Sequence, residues 1–452
     1  LPEPDEKAAF SQKRVNAAAV LAQAWDAEAF TATDAIAATG LTRSTVITLC
    51  DELVERGWLC ELPNARAAGE EYRKGRPARR YALRVDAGAV VGVDAGQHCV
   101  TATVADLRGR ELARAYTAID PDRHGAAQRL TVTDATVDKA LEDAGVQAEA
   151  VMCVAVGVPA PTDLDGNSPE GEFEFWSRMN PGFAAHFRER SKKQSRERSK
   201  KQSRERSEQQ GRERSEQQGR ERSERQGPHR GWLTEIENDA NLAALAEGAL
   251  GAGVGASSYI ALMSGERFGA GYVVDGHLVR GKRGGAGELR LLALVEGVGS
   301  THGIAALLRE WALEMRASGA VDESSPLVTT PKARLGAEIV FRAAESGDLA
   351  ALQLIDRMAE RLARICAVLG GLLDVERIIL SGAVAESLDL LLPRTALRLN
   401  DLTHPPAPEL VASPLGGGVV SIGAVTRALE IVRTNAIALE PVTQIREQII
   451  PF

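Results

Sequence analysis

Cysteine is scarce and scattered: Cys50, Cys60, Cys99, Cys153 and Cys366 are the five in 452 residues, with no CxC or CxxC pair among them. That spacing supplies no zinc ligand set and no disulfide framework, so neither a metal nor a cross-link is expected. Long apolar runs are missing as well. Nothing approaches the roughly 18–20 consecutive apolar residues of a membrane helix, and the opening LPEPDEKAAF lacks the basic-then-apolar order of an export signal. A soluble cytoplasmic protein without a membrane partner is expected. Positive charge is also in deficit, the formal net charge being −8. A nucleic-acid partner would therefore have to be met by a local basic patch. What the chain does have is length and apolar residues (44%), enough for two or three folded units.

Residues 1–11 read as a flexible N-terminal arm, and residues 12–84 as a winged helix-turn-helix unit of three short helices followed by a hairpin. In FTATDAIAATGLTRSTVITLCDELVERGWL, Thr31 or Thr33 can cap a helix, Gly40 makes the tight turn, and Thr42 caps the next helix. Val46, Leu49, Leu53 and Val54 form one apolar stripe, which leaves Arg43, Ser44, Thr45, Thr48 and Asp51 on the other side. Gly57 ends the helix, and Trp58 and Leu59 begin a strand. The stretch that follows is dense in Arg66, Arg73, Lys74, Arg76, Arg79, Arg80 and Arg84. An isolated charge run is usually a solvated turn. Directly after a helix-turn-helix, it is the local basic patch that duplex DNA requires, with Arg43, Ser44, Thr45 and Thr48 on the helix and Arg73, Lys74, Arg76 and Arg79 on the wing.

From about Ala87, β-branched runs alternate with helical ones (VVGVDAG, CVTATVAD, VMCVAVGVPAP, then YIALMSG, AGYVVDG, RIILSG), implying two α/β lobes across residues 85–452. Residues 188–230 interrupt them. Arg188, Arg196, Arg204, Arg212 and Arg220 mark an octad repeat with no apolar face, expected to be a surface insertion, either disordered or a solvated helix.

The VGVDAG turn with Asp94 and Gly96, GVPAPTDLDG, ENDANLAALAEGALGAG, FGAGYVVDGHLVRGKRGGAGELRLL, IILSGAVAES and SPLGGGVVSIGA resemble, in this order, the ROK family (repressors, open reading frames and kinases). The likeness includes the regulator branch of that family through the N-terminal unit. The resemblance implies an actin-like, sugar-kinase-type fold of two lobes with a sugar in the cleft. Asn180, Asn238, Asp239 and Glu288 would contact it, and Asp239 stands where the kinases keep their general base. A bland alternative for Asp239 is a helix cap.

Departures from the kinase pattern bear on activity. Gln97 and His98 replace a Gly-Thr pair beside the first phosphate loop. In the second loop, which carries Gly265, Gly269 and Gly271, Glu266 and Arg267 replace Thr and Gly, and a carboxylate in a phosphate cradle repels a nucleotide unless Arg267 neutralises it. The family's zinc cluster after GAGE is absent, and Leu291 stands where a histidine would bridge metal and sugar; His302 is a lone histidine. The sequence thus implies a non-enzymatic regulator without cofactor, a homodimer or dimer of dimers. Its partners would be an operator in double-stranded DNA and a small effector, a sugar or sugar derivative. A sugar kinase with an appended DNA-binding unit is the competing reading.

Overall fold

A computed structural model describes residues 4–63, 78–121, 123–169, 174–196 and 231–442. Helix α1 (Pro4–Asp26) begins at a proline, whose missing N–H costs nothing at a first helical position. The helix therefore takes in most of the segment expected to be a flexible arm. Val20, Leu21, Ala24 and Trp25 from its second half are buried, and packing of that half explains why the helix persists. A short strand β1 (Phe30–Thr31) leads into α2 (Ala32–Thr39). Thr31 is the cap rather than Thr33: its side chain accepts from Asp34 N while the Asp34 carboxylate accepts from Thr31 N at 2.8 Å, a reciprocal capping box. Gly40, at φ +68°, ends α2 in the left-handed conformation that glycine adopts freely. Thr42 then caps α3 (Arg43–Glu55), accepting from Thr45 N at 3.3 Å. Val46, Leu49, Cys50 and Leu53 are the buried face of α3. Strands β2 (Leu59–Leu62) and β3 (Arg80–Leu83) pair antiparallel and complete a sheet of order β1-β3-β2. Arg66, Arg73, Lys74 and Arg76, between β2 and β3, lie outside the described residues.

The rest of the chain repeats one sheet plan. In the first lobe, β4 (Ala89–Ala95), β5 (Cys99–Asp106) and β6 (Glu111–Ala118) run antiparallel, and β7 (Val151–Val158) and β8 (Leu233–Asn238) add in parallel, giving the order β6-β5-β4-β7-β8. Helix α4 (Ala126–Ala144) covers this sheet; α5 (Glu174–Met179) and α6 (residues 183–196 as described) follow β7. The second lobe has β9 (Tyr259–Ser264), β10 (Phe268–Val274), β11 (His277–Val279), β12 (Arg377–Ser381) and β13 (Glu409–Ala412), in the order β11-β10-β9-β12-β13 with the same senses. Its helices are α8 (Ile304–Ala317), α9 (Pro326–Thr329), α10 (Ala337–Glu345), α11 (Leu349–Leu373) and α12 (Leu391–Leu402), with α7 (Asp239–Leu250) preceding β9 and α13 (Val419–Asn435) the last α-helix among the described residues.

Two glycines make the junction of the lobes tight. A Cβ on Gly423 of α13 would lie 2.0 Å from Leu242 O of α7, and one on Gly271 of β10 would lie 2.2 Å from Ala240 O. Backbone-to-backbone contact on both sides holds α7 between the lobes, and this fixes where its first residue, Asp239, points. The octad tract is anchored where it begins: α6 runs to residue 196, Ser191 Oγ donates to Trp232 O, and Arg190 pairs with Asp134 and Asp138 while lying over the Trp232 ring. The expected insertion at residue 188 thus begins as a docked helix. Residues 197–230 lie outside the described residues.

Candidate functional site

The parallel strands of both lobes end at a cleft of about 330 Å³, lined by Asp94, Gly96, Gln97, His98, Asn238, Asp239, Gly265, Gly269 and Glu288 among others. Ligands in open α/β sheets gather at such strand ends. Asp239 starts α7, and its Oδ1 accepts from Ala240 N at 2.8 Å. The cap of α7 is its neighbour: Asn238 Oδ1 accepts from Ala240 N and Asn241 N, while Nδ2 donates to Ala160 O at 3.2 Å. Asn238 is therefore held on both sides, and Asp239 keeps its second oxygen for the cleft. Desolvation, reinforced for Asp239 by the Asp94 charge, pushes both carboxyls up to about 7. Glu288 stands at the rim, raised by desolvation and opposed by the Arg267 charge.

Asn180 is elsewhere. It is buried, and its Nδ2 donates to Gly166 O at 3.1 Å and Ser168 Oγ at 3.0 Å, tying the loop after β7 together. Phe175 and Trp176, from the same sequence segment, line the cleft in its place. Gly271 also lies away from the cleft, inside β10, where α7 packs against it; Gly96, Gly265 and Gly269 do border the cleft.

Sequence reasoning missed the residues that shape the two loops. Arg129, 1% exposed on α4, donates from Nη2 to Ala95 O and Gly96 O, each at 2.8 Å, and so pins the first loop from behind. Its signal was one arginine on the inward face of α4, which a sequence pattern reads as solvent-facing. Glu266 is neutralised, but by Arg309 of α8 in a two-pronged pair of 2.8 Å bonds, which holds its carboxyl below the usual range. Arg267 turns instead to the Phe175 ring, 4.9 Å from its centroid, and spans the mouth from one lobe to the other. Deeper in, Arg280 of the second lobe donates to the buried Glu237 of β8 at 2.6 Å.

On the N-terminal unit, Arg43, Ser44 and Thr48 are exposed along α3, and Thr45 is half-buried with its hydroxyl against Thr42. Arg79 is committed: it pairs with Asp51 and Glu61, each at 2.7 Å, and lies over the Tyr81 ring. It ties the base of the hairpin to α3, a structural role in place of the DNA contact expected for it.

The N-terminal unit is fastened to the lobes at the C-terminal end of α1. Arg108 donates to Ala24 O, Trp25 O and Ala27 O, and Arg433 of α13 pairs with Asp26 at 2.5 Å. Arg56 reaches Ile437 O and Leu439 O. The other end of α13 contributes Val419 and Val420 to the cleft wall.

Twice-repeated sheets of this order around a cleft define the actin-like, sugar-kinase type of two-lobed α/β fold. Residues 229–428 match the ROK family, so a ROK-family domain is present. Two glucokinases are similar in sequence. That of Halalkalibacterium halodurans is 33% identical over 173 residues, 35% of this chain and 51% of the relative. That of Thermotoga maritima is 30% identical over 197 residues, 40% of this chain and 61% of the relative. The chain thus spans about half to three-fifths of the curated relatives it matches. Among solved structures, a ROK family transcriptional regulator, a homologue of the E. coli MLC protein, superposes with a TM-score of 0.67 at 17% identity over 94% of this chain and 99% of that one. A ROK family glucokinase from Streptomyces griseus, in complex with glucose and AMPPNP, gives 0.56 at 22% identity over 76% and 100%. The likeness to the regulator extends over the N-terminal unit as well as the lobes. Among the described residues, no helix is long and apolar enough to cross a membrane.

Proposed function

We propose that the protein is a DNA-binding transcriptional regulator, a repressor, whose N-terminal winged helix-turn-helix is controlled by a sugar or sugar derivative bound between the lobes. The observation that carries this reading is α13. Its first residues wall the cleft, its last residues hold the N-terminal unit, and its 17 residues span about 25 Å. A ligand that favours one lobe arrangement would move this helix and with it the DNA-binding surface, provided it binds the two arrangements with different affinity. Arg43, Ser44 and Thr48 would reach base edges in the major groove with Thr45 near the backbone, and Arg73, Lys74 and Arg76 would hold phosphates. As a homodimer, the protein would read a pseudo-palindromic operator.

The cleft supports a binding rather than a catalytic role. Its volume suits one monosaccharide, and Glu266 and Arg267, engaged with Arg309 and Phe175, stand directly after Gly265 with large charged side chains where a polyphosphate would approach the loop. Asp239 favours the kinase alternative, since a carboxyl near 7 facing a sugar is suited to a general base. Fluorescence anisotropy with fragments from upstream of the protein's own gene tests the regulator reading. We expect one fragment to bind well above random DNA at moderate salt, and Arg43→Ala to remove that preference; equal binding to all fragments refutes it. ADP release with a hexose panel, abolished by Asp239→Asn, would establish the kinase instead.

A further inference from the structure

Beside the cleft, a second chamber of about 630 Å³ shares Gln97, His98, Phe175, Glu266 and Arg267 with it and is floored by Arg178 and α8. Its charges do not balance. Glu266 is taken by Arg309, and Glu310 lies 3.5 Å from His302. Arg178 and Arg267 have no carboxylate within ion-pair distance among the described residues, although Glu288 senses Arg267 from farther away. Phe175 and Arg178 sit three residues apart on α5, so the ring that carries Arg267 and the second guanidinium share one face. Behind them, Arg129 Nε and Nη1 and Arg178 Nε are buried without an acceptor among the described residues, and the Arg178 charge, after burial, holds the Arg129 guanidinium below its ordinary value. Like charges brought together with open N–H groups fit an oxyanion, because a guanidinium fork offers parallel donors to two oxygens and an unpaired buried donor is costly.

We propose that the effector is an anionic sugar, a sugar phosphate or a sugar acid, with its polyol against Asp239 and Glu288 and its oxyanion received by Arg178 and Arg267. This rests on the ligand-binding reading of the cleft and narrows it to a charge class. Calorimetric titration of the full chain tests it with matched sets of hexose, hexose 6-phosphate and hexuronate in the gluco, manno and galacto series, and with inorganic phosphate and AMPPNP alone. The expected result is at least one set in which an anionic member binds about tenfold or more tighter than its neutral parent, with inorganic phosphate competing weakly. Phosphate and uronate members then distinguish the two anion sources. Arg178→Ala and, independently, Arg267→Ala should reduce that preference about tenfold, and Arg178→Lys should restore part of it. Neutral sugars binding as tightly as anionic ones, a preference untouched by both alanine variants, or binding of AMPPNP without any sugar overturns the proposal, as does the absence of all binding. Operator binding by the unliganded wild-type protein is measured in parallel: if it persists while the anion preference fails, only this inference falls.

Discussion

Asp239→Asn isolates the electrostatic cost of the cleft. Asparagine keeps the shape and the Oδ1 acceptor for Ala240 N, and removes a carboxyl that burial and the Asp94 charge raise at the cleft floor. Both folded-state values lie near 7 against an ordinary 3.8. The folded protein therefore holds protons that the unfolded chain releases from about pH 4 upward. A raised carboxyl contributes fully below the unfolded value, and the contribution is lost as pH rises through the folded one, so wild-type stability should decline between about pH 4 and 7 and level off above. Three units correspond to about 4 kcal/mol per group as a ceiling. The cleft is open to water, which reduces the gain from removing one carboxyl to roughly 1–2 kcal/mol at pH 8. At about 2–4 °C per kcal/mol, the variant should melt roughly 2–8 °C higher than wild type at pH 8 and with a flatter pH profile. Paired thermal melts at pH 5 and pH 8 read this directly. A variant that is less stable at pH 8, or whose pH profile parallels wild type, would refute the argument that desolvation and the Asp94 charge raise Asp239.

Three further substitutions separate fold, anchor and coupling. Arg79→Ala removes two half-exposed ion pairs and a ring contact, and should cost about 0.5–1 kcal/mol at low salt, less in high salt. Because Arg79 holds Glu61 below its ordinary value, that contribution is present above the unfolded carboxylate range and lost on acidification, which melts at pH 7 and pH 3.5 compare. Gly271→Ala sets a methyl against the Ala240 carbonyl and should cost about 2 kcal/mol or more, seen as a lower melting temperature and weaker ligand binding together; an unchanged melting temperature contradicts the close approach of β10 to α7. Arg108→Ala frees three carbonyls at the end of α1. Ligand should still raise the melting temperature, but its effect on operator affinity in anisotropy titrations should shrink several-fold; a full effect would show that the coupling runs elsewhere.

Helices α2 and α3 and the turn between them could be read from sequence because their signals are local. Thr31, Gly40 and Thr42 each act within four residues of their own position, and the apolar stripe of α3 has one period. The doubled α/β plan was legible from alternating runs. What escaped reading depends on partners distant in sequence. Arg79 looked like a wing arginine until the fold brought Asp51 and Glu61 to it, and Asn180 looked like a sugar ligand until Gly166 and Ser168 engaged its Nδ2. Pairing Glu266 with Arg267 followed sequence proximity, whereas Arg309 lies one helix away and presents the better fork. Helix α1 takes in residues 4–11 of the expected arm because its anchor, the buried second half, is packing that no N-terminal composition reveals.

The glycines that carry the family resemblance answer to two different physical demands. Gly423 and Gly271 are required because a Cβ would strike the backbone of α7, a demand that holds whether or not a nucleotide ever enters. Gly265 has open space around its Cβ position and borders the cleft, so its lack of a side chain serves access rather than packing. Under the regulator reading proposed above, the first kind of glycine stays required and residues beside the second kind are free to change. Glu266 and Arg267 follow Gly265 directly, a departure falling where the fold exerts no such demand, whereas Gln97 and His98 follow Gly96, whose Cβ would already lie 3.3 Å from Cys99 O. The lobes thus retain what α7 needs to hold Asp239 at the cleft, while the positions that would meet a phosphate carry side chains engaged with Arg309 and Phe175. That division supports a domain that binds in the cleft and passes the event along α13, where Arg433 meets the N-terminal unit.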